Sequence, residues 1–302
     1  MSAAARRTNK RLYRWSALIG GVAVVSLCIV LWRSHSRPVA PTSATRTNTT
    51  NTPVVIPTPK VDAGLLQLVG AWSQQQKVQT AVYVQEMSGE LRTASNNPTT
   101  SVVPASMYKI YVAYAVLAGI EKGQYNLNTK TTDGNTIQVD LKTMIVDSNN
   151  TAARTLGFMV GWKNINALLT EQGLTGTDLY NYVPPSTDPV GDKSTTVNDL
   201  GLILSKLYKN ELLNEEHTQL LIGFMKQQHY RERIPAGVPA TVVVADKPGW
   251  LSPADGVSQY IQNDAAIVYG PKSTYVLVIA TNGSSTKPLA RLSTQIYNYL
   301  QM

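Results

Sequence analysis

Val103-Pro104-Ala105-Ser106-Met107-Tyr108-Lys109-Ile110-Tyr111 opens the most apolar helical stretch of the chain, Ala105–Lys122. A serine three residues before a lysine at a helix start puts hydroxyl and amine on one face, one turn apart. A serine hydroxyl is a weak nucleophile until a neighbour takes its proton. A lysine whose charge is suppressed by burial and nearby cations can take it. The pair reads as a nucleophile carrying its own base. Taken alone, Ser106 equally suits a helix N-cap and Lys109 a surface lysine. A second Ser-x-x-Lys, Ser284 to Lys287, lies in what reads as a polar loop. What accompanies Ser106 therefore decides.

Downstream, Asp147-Ser148-Asn149-Asn150-Thr151 falls between two helical patterns, Ile137–Val146 and Thr151–Val160. Asp246-Lys247-Pro248-Gly249-Trp250 ends a strand-like run that starts at Ala240. A Ser-x-Asn alone is common, as Ser95-Asn96-Asn97 illustrates, and a Lys-x-Gly is commoner still. The three motifs in this order, each in its own structural context, are far more specific.

The elements around them predict one architecture. Val61–Gln76 has the apolar spacing of an amphipathic helix. Ala81–Gln85 is a strand that turns at Met87-Ser88-Gly89-Glu90 into a second short strand. A long helical block follows: Ala105–Lys122, Ile137–Val146, Thr151–Val160, Trp162–Gln172, Thr195–Tyr208 and Asn214–Gln228. The last third turns Val-, Ile- and Tyr-rich at Ala240–Ala245, Asp264–Tyr269 and Thr274–Thr281, which read as three strands before a closing helix, Pro288–Leu300. This is an α/β (α+β) plan: one antiparallel sheet built from both ends of the domain, flanking helices, and an inserted all-helical region. The site is expected where sheet and helical region meet.

Of the 302 residues, 43% are hydrophobic, which suits a packed core. The net charge of +8 is unevenly placed. Residues 1–60 hold nine basic residues and no acid, leaving 18 basic against 19 acidic in the remainder. The excess belongs to the N-terminal tail, and a basic stripe for nucleic acid is not supported. Trp15–Trp32 is an uncharged apolar run of 18 residues with tryptophan at both ends. It predicts a transmembrane anchor, with basic tail 1–14 in the cytoplasm and the rest outside. A cleaved signal peptide has a shorter apolar region and a small-x-small site. Residues 33–60, rich in Pro, Thr, Ser and Asn, read as a linker, and residues 61–302 as the catalytic domain. Cys28, the only cysteine, lies in the apolar run, so the exported part has no disulfide. His35, His217 and His229 show no metal spacing and no triad context, and read as linker and surface residues. No metal or other cofactor is expected.

With the three motifs in place, residues 61–302 resemble the penicillin-recognising serine hydrolases, most closely the class A β-lactamase-like catalytic domain, whose motif set is S-x-x-K, S-D-N and K-T-G. Ile234-Pro235-Ala236-Gly237 and Val244-Ala245-Asp246-Lys247 are similar to that family's approach to its lysine strand. The resemblance implies a β-lactamase/transpeptidase-like fold. It makes Ser106 the acylated nucleophile, Lys109 its base, Ser148 the proton relay to the leaving nitrogen and Asn150 the holder of the substrate amide. Lys247 would orient Ser148 and attract a substrate carboxylate. Gly249 and Trp250 line the substrate strand, and the N–H groups of Ser106 and Trp250 form the oxyanion hole.

Two departures bear on activity. Pro248 stands where the third motif has Thr or Ser, so a hydroxyl to the substrate carboxylate is lost. The stretch Tyr180–Asp192 contains no Glu, whereas class A β-lactamases place there the Glu that activates the deacylating water. Asp188 or Asp192 would have to stand in. The expectation is an extracytoplasmic, D,D-peptidase-like enzyme acting through acyl-Ser106 on β-lactams or D-alanyl peptidoglycan peptides. The alternatives are a true β-lactamase with another water-activating group, and a non-catalytic cell-wall-binding or sensor domain that keeps the fold.

Overall fold

The computed structural model describes residues 58–179 and 193–302. Every described residue belongs to one compact unit, Val55–Met302. The expected span 15–32, most of the linker, and Asp188 and Asp192 lie outside the described residues. Among the described ones, no helix is long and apolar enough to cross a membrane.

Among the described residues, six strands form one sheet. Strand β1 is Lys60–Val61, β2 Thr80–Glu86, β3 Arg92–Asn96, β4 Val243–Leu251, β5 Ile261–Tyr269 and β6 Thr274–Thr281. Their spatial order is β1-β3-β2-β6-β5-β4. The two ends of the domain meet at the antiparallel pair β2–β6, from Thr80↔Thr281 to Glu86↔Tyr275, as expected. The sheet is mixed rather than wholly antiparallel, because β1 runs parallel to β3. At the ends of β1, Lys60 N–H donates to the Leu91 carbonyl and Asp62 N–H to the Thr93 carbonyl, both at 2.9 Å. A strand of two residues carries no periodicity to read. Strand β4 begins at Val243, later than the run read from Ala240, and carries Asp246-Lys247-Pro248-Gly249-Trp250 to its end at Leu251.

Among the described residues, eight α-helices cover the sheet. Helices α1 (Ala63–Gln75) and α8 (Lys287–Leu300) pack on one face, joining Leu65, Val69, Trp72, Leu292 and Ile296 to Val82, Val84, Leu277 and Ile279. Asp62 caps α1, accepting the Leu65 N–H at 2.7 Å. On the other face lie α2 (Lys109–Glu121), α3 (Ile137–Val146), α4 (Asn150–Val160), α5 (Trp162–Glu171), α6 (Val197–Tyr208) and α7 (Glu215–Lys226). Successive strand residues serve opposite cores: Ala81 faces the helical block and Val82 faces α1 and α8. Strand β6 is buried on both faces and reads as a near-continuous apolar run; β5 is equally buried but opens on Gln262-Asn263-Asp264 before its apolar half.

Helix α2 is buried over most of its surface, Ile110 to Ala118 included. At roughly 25 cal/mol per Å² of apolar surface, burial on this scale anchors the block around α2. His217 corrects the sequence reading. It is buried, with Nδ1 2.9 Å from Glu121 Oε1, and ties α7 to α2. His229 is exposed, as expected, and pairs with Asp147.

Candidate active site

The segment before α2 enters it through a 3-10 turn, Ala105–Tyr108. Ala105 takes φ 45°, a left-handed conformation uncommon outside glycine. The sharp bend leaves Ser106 half-buried at the cleft while Met107, Tyr108 and Lys109 are buried. Lys109, the first residue of α2, is completely buried, and its Nζ lies 2.9 Å from Ser106 Oγ. The expected nucleophile and base are in contact.

The second motif forms the turn between α3 and α4. Asn149 caps α4, its Oδ1 accepting the Ala152 N–H at 3.0 Å. Asn and Asp cap helices about equally well, so the change at this position costs the turn little. Capping leaves Ser148 in the left-handed region at φ 58°. Its backbone oxygen and hydroxyl both face Lys109, 2.7 and 3.1 Å from Nζ. Asn150 Oδ1 also lies 2.7 Å from Nζ.

These contacts fit a proton acceptor. The Ser148 carbonyl and the Asn150 amide oxygen only accept, and a neutral amine satisfies them with its two N–H groups. Its lone pair then faces the serine hydroxyls. After gaining a proton, the ammonium has a third N–H for an oxygen at the same place.

The third motif lies in β4, an edge strand of the sheet. Lys247 is completely buried and donates to Ser148 Oγ and to the Pro248 carbonyl, both at 3.0 Å. Two lysines thus converge on one hydroxyl. Burial lowers Lys247 to about 7, despite the partly offsetting carboxylates Asp246 and Asp264. Pro248 keeps its place opposite Asp264, and β4 stays paired to β5 from end to end. Proline suits an outer strand. Alternation puts the Trp250 N–H on the same edge as the Pro248 nitrogen. Gly249 presses directly on the 3-10 turn: a Cβ there would stand 2.8 Å from the Ser106 nitrogen.

A cavity of about 150 Å³ joins Ser106, Ser148 and Asn150 to Tyr108, Tyr230 and Trp250. Ser106, Lys109, Ser148, Asn150, Lys247, Gly249 and Trp250, drawn from three distant segments, therefore come together in one cleft. A larger groove, about 580 Å³ between α2, α4 and α5, is lined by no serine, cysteine or histidine.

Several supports escaped the sequence reading. Asn263 of β5 donates to the Val103 carbonyl at 2.8 Å and fixes the approach to Ser106. Gln228 Nε2 reaches the Ile145 carbonyl at 2.6 Å, and His229 Nδ1 lies 2.8 Å from Asp147 Oδ1, bracing the α3–α4 turn. Trp250 is held between Tyr230, 4.7 Å away, and the Arg233 guanidinium, 5.0 Å from its ring. Lys193 lies 4.9 Å from the Tyr108 ring and 4.8 Å from that of Trp162. None belongs to a short motif; each acts through tertiary placement.

The model of a family described as the beta-lactamase enzyme family matches residues 65–300. No curated protein matches the chain. Among solved structures, PBP-A matches with a TM-score of 0.72 at 19% identity, covering 80% of this chain and 98% of that one. A mutant of the same protein, an acyl-enzyme complex with penicillin G, matches at 0.72 and 19%, covering 81% and 98%. The TLA-3 extended-spectrum beta-lactamase matches at 0.71 and 18%, covering 79% and 99%. At these identities the likeness shows the fold.

Proposed function

The chain belongs to the beta-lactamase enzyme family of serine hydrolases, and from that premise we propose that it forms an acyl-enzyme on Ser106 and behaves as a D,D-peptidase rather than an efficient β-lactamase. One observation carries the acylation step: Lys109 Nζ sits 2.9 Å from Ser106 Oγ with its other named partners able only to accept or to exchange protons. Ser106 Oγ attacks the carbonyl carbon of a β-lactam or D-alanyl peptide, and its proton passes to Lys109. Ser148 gives its proton to the leaving nitrogen and regains one from Lys109, 3.1 Å away. The C–N bond breaks as the acyl C–O bond persists. The N–H groups of Ser106 and Trp250 meet the developing oxyanion, where one donor is worth about 3–4 kcal/mol. Lys247, in the family role, orients Ser148 and attracts a substrate carboxylate.

Release needs a base for water. The sequence 180–192 carries no Glu, which favours a long-lived acyl-enzyme with β-lactams. The penicillin G acyl-enzyme of the matched PBP-A mutant is the kind of state proposed. The charge-free run 15–32 and its basic flank support an anchored domain outside the membrane, beside a cell-wall substrate.

Fluorescent penicillin tests the reading. The full chain is expected to label, a Ser106→Ala variant not to, and the label to persist after excess probe is removed. Equal labelling of both proteins would leave a binding or sensor domain. Rapid turnover of the label would restore a β-lactamase with another water-activating group.

A further inference from the structure

Behind β4, on the face opposite Lys247, lies a buried charged cluster that acyl transfer does not use. Strand alternation sends Lys247 toward the helical block and Asp246 toward the α1–α8 layer. Asp264 stands on β5 opposite Pro248, while Asp246 stands opposite Ala266. The two aspartates are therefore diagonal neighbours on one face, and both are completely buried.

Each carboxylate is half-satisfied. Arg231 Nη1 donates to Asp246 Oδ1 at 2.5 Å, and the Ile234 N–H donates to Asp264 Oδ2 at 3.0 Å. Asp246 Oδ2 and Asp264 Oδ1 are buried with no hydrogen-bond partner. The charged groups that act on the pair are Arg231 and Arg233, from the segment before β4, and Lys247 from the other face of the strand. Arg233 spends its guanidinium on Gln262 Oε1 and the Trp250 ring. Its neighbour Glu232 is largely exposed. On the cleft side, Lys109 of α2 meets Lys247 through Ser148 Oγ.

Two ionised carboxylates buried side by side repel each other, and each bare oxygen lacks a donor. One proton held between them removes both costs. In keeping with this, burial and then Asp264 push Asp246 well above the usual carboxylate range, and burial pushes Asp264 up to about 6.

We propose that Asp246 and Asp264 are positioning residues for Lys247: they hold one proton between them behind β4, and the single negative charge left on the pair keeps Lys247 cationic in the cleft. The use made of that cation rests on the acyl-transfer reading; the shared proton rests on the buried pair alone.

The charge balance gives an uncommon signature. In Asp246→Asn or Asp264→Asn, the surviving aspartate loses its partner, ionises and restores the same net charge. Only the double Asn variant removes the charge. Infrared difference spectra of the full chain at about pH 6, wild type minus each single variant, are expected to show a buried protonated carboxylic acid in the wild type alone. Carbon-13 spectra of labelled lysine, with Lys247 assigned through Lys247→Arg, are expected to give its titration midpoint. That midpoint should stay within about half a unit in either single variant and fall by about one unit or more in the double. Absence of the acid band in the wild type overturns the proposal. So does a single variant that lowers Lys247 as far as the double. If the double variant does not fold, the infrared result decides. Neither readout involves substrate, so failure of penicillin to label Ser106 would sink the acyl-transfer reading and leave this one standing.

Discussion

Gly249 and Ser106 are pressed together across the cleft. A Cβ at position 249 would stand 2.8 Å from the Ser106 backbone nitrogen and 2.6 Å from the Pro104 carbonyl oxygen. Both obstacles are backbone, so neither can swing aside. In Gly249→Ala, β4 must retreat from the 3-10 turn, carrying Lys247 and the Trp250 N–H with it. Acylation by penicillin is expected to slow about 100-fold, since small displacements at a reacting centre cost that much. Stability is expected to fall by about 1–3 kcal/mol, as for other overpacked sites. Stopped-flow acylation and thermal unfolding measure the two effects separately. An alanine variant that acylates at the wild-type rate would show that this edge does not set the oxyanion geometry.

Lys109 is the residue whose loss should be most specific to chemistry. Methionine fills a similar volume in an apolar helix and leaves Ser106 in place. A general base contributes about 100- to 10,000-fold, so Lys109→Met should label with penicillin slower by at least about 100-fold. The circular dichroism spectrum should not change. Labelling within about tenfold of wild type would place the proton acceptor elsewhere.

Much of this arrangement was legible before any coordinates. Spacing alone outlines the helices, because α1 and α3 to α8 follow ordinary apolar patterns, α5 and α8 doing so without a side-chain cap at their start. The two-ended sheet followed from where the β-branched runs fall. The missed features have a common physical cause: they depend on what lies across space. Asp246, Lys247, Pro248 and Gly249 are poor strand formers in isolation, and their pairing with Asn263–Ala266 of β5 is not visible in local sequence. His217 read as a surface residue, and its burial depends on Glu121, 96 positions away. Asn263, which holds the approach to Ser106, belongs to no local pattern.

Pro248 offers a gain-of-function test. The proline removes the hydroxyl that would reach a substrate carboxylate, while β4 keeps its pairing through that residue. Pro248→Thr restores the hydroxyl at little cost to the sheet. One hydrogen bond to a charged group contributes about 1.5–3 kcal/mol at best, so the concentration of a carboxylate-bearing penicillin that gives half-maximal acylation rate should fall about tenfold or more. The methyl ester of the same compound should be affected far less. Equal changes for acid and ester would mean that residue 248 acts on the backbone and not on the carboxylate.

Lys247 gives the last prediction, in which pH acts on binding and on stability in defined directions. Burial lowers it to about 7, so the cation dominates below that value and fades above it. The ratio of kcat/KM for a carboxylate substrate to that for its ester cancels the chemistry common to both. This ratio should decline as pH rises through about 7. Stability moves the other way. An unfolded lysine titrates near 10.4, so between about 7 and 10.4 the native state binds fewer protons than the unfolded state. Lys247 therefore costs the fold most below pH 7, and its cost shrinks as pH climbs toward 10. Compared with a Lys247→Met variant, the wild type should gain stability across that window, read by urea unfolding at a series of pH values. A flat difference between the two proteins, together with a flat acid-to-ester ratio, would mean that Lys247 keeps its charge throughout and that burial does not govern it.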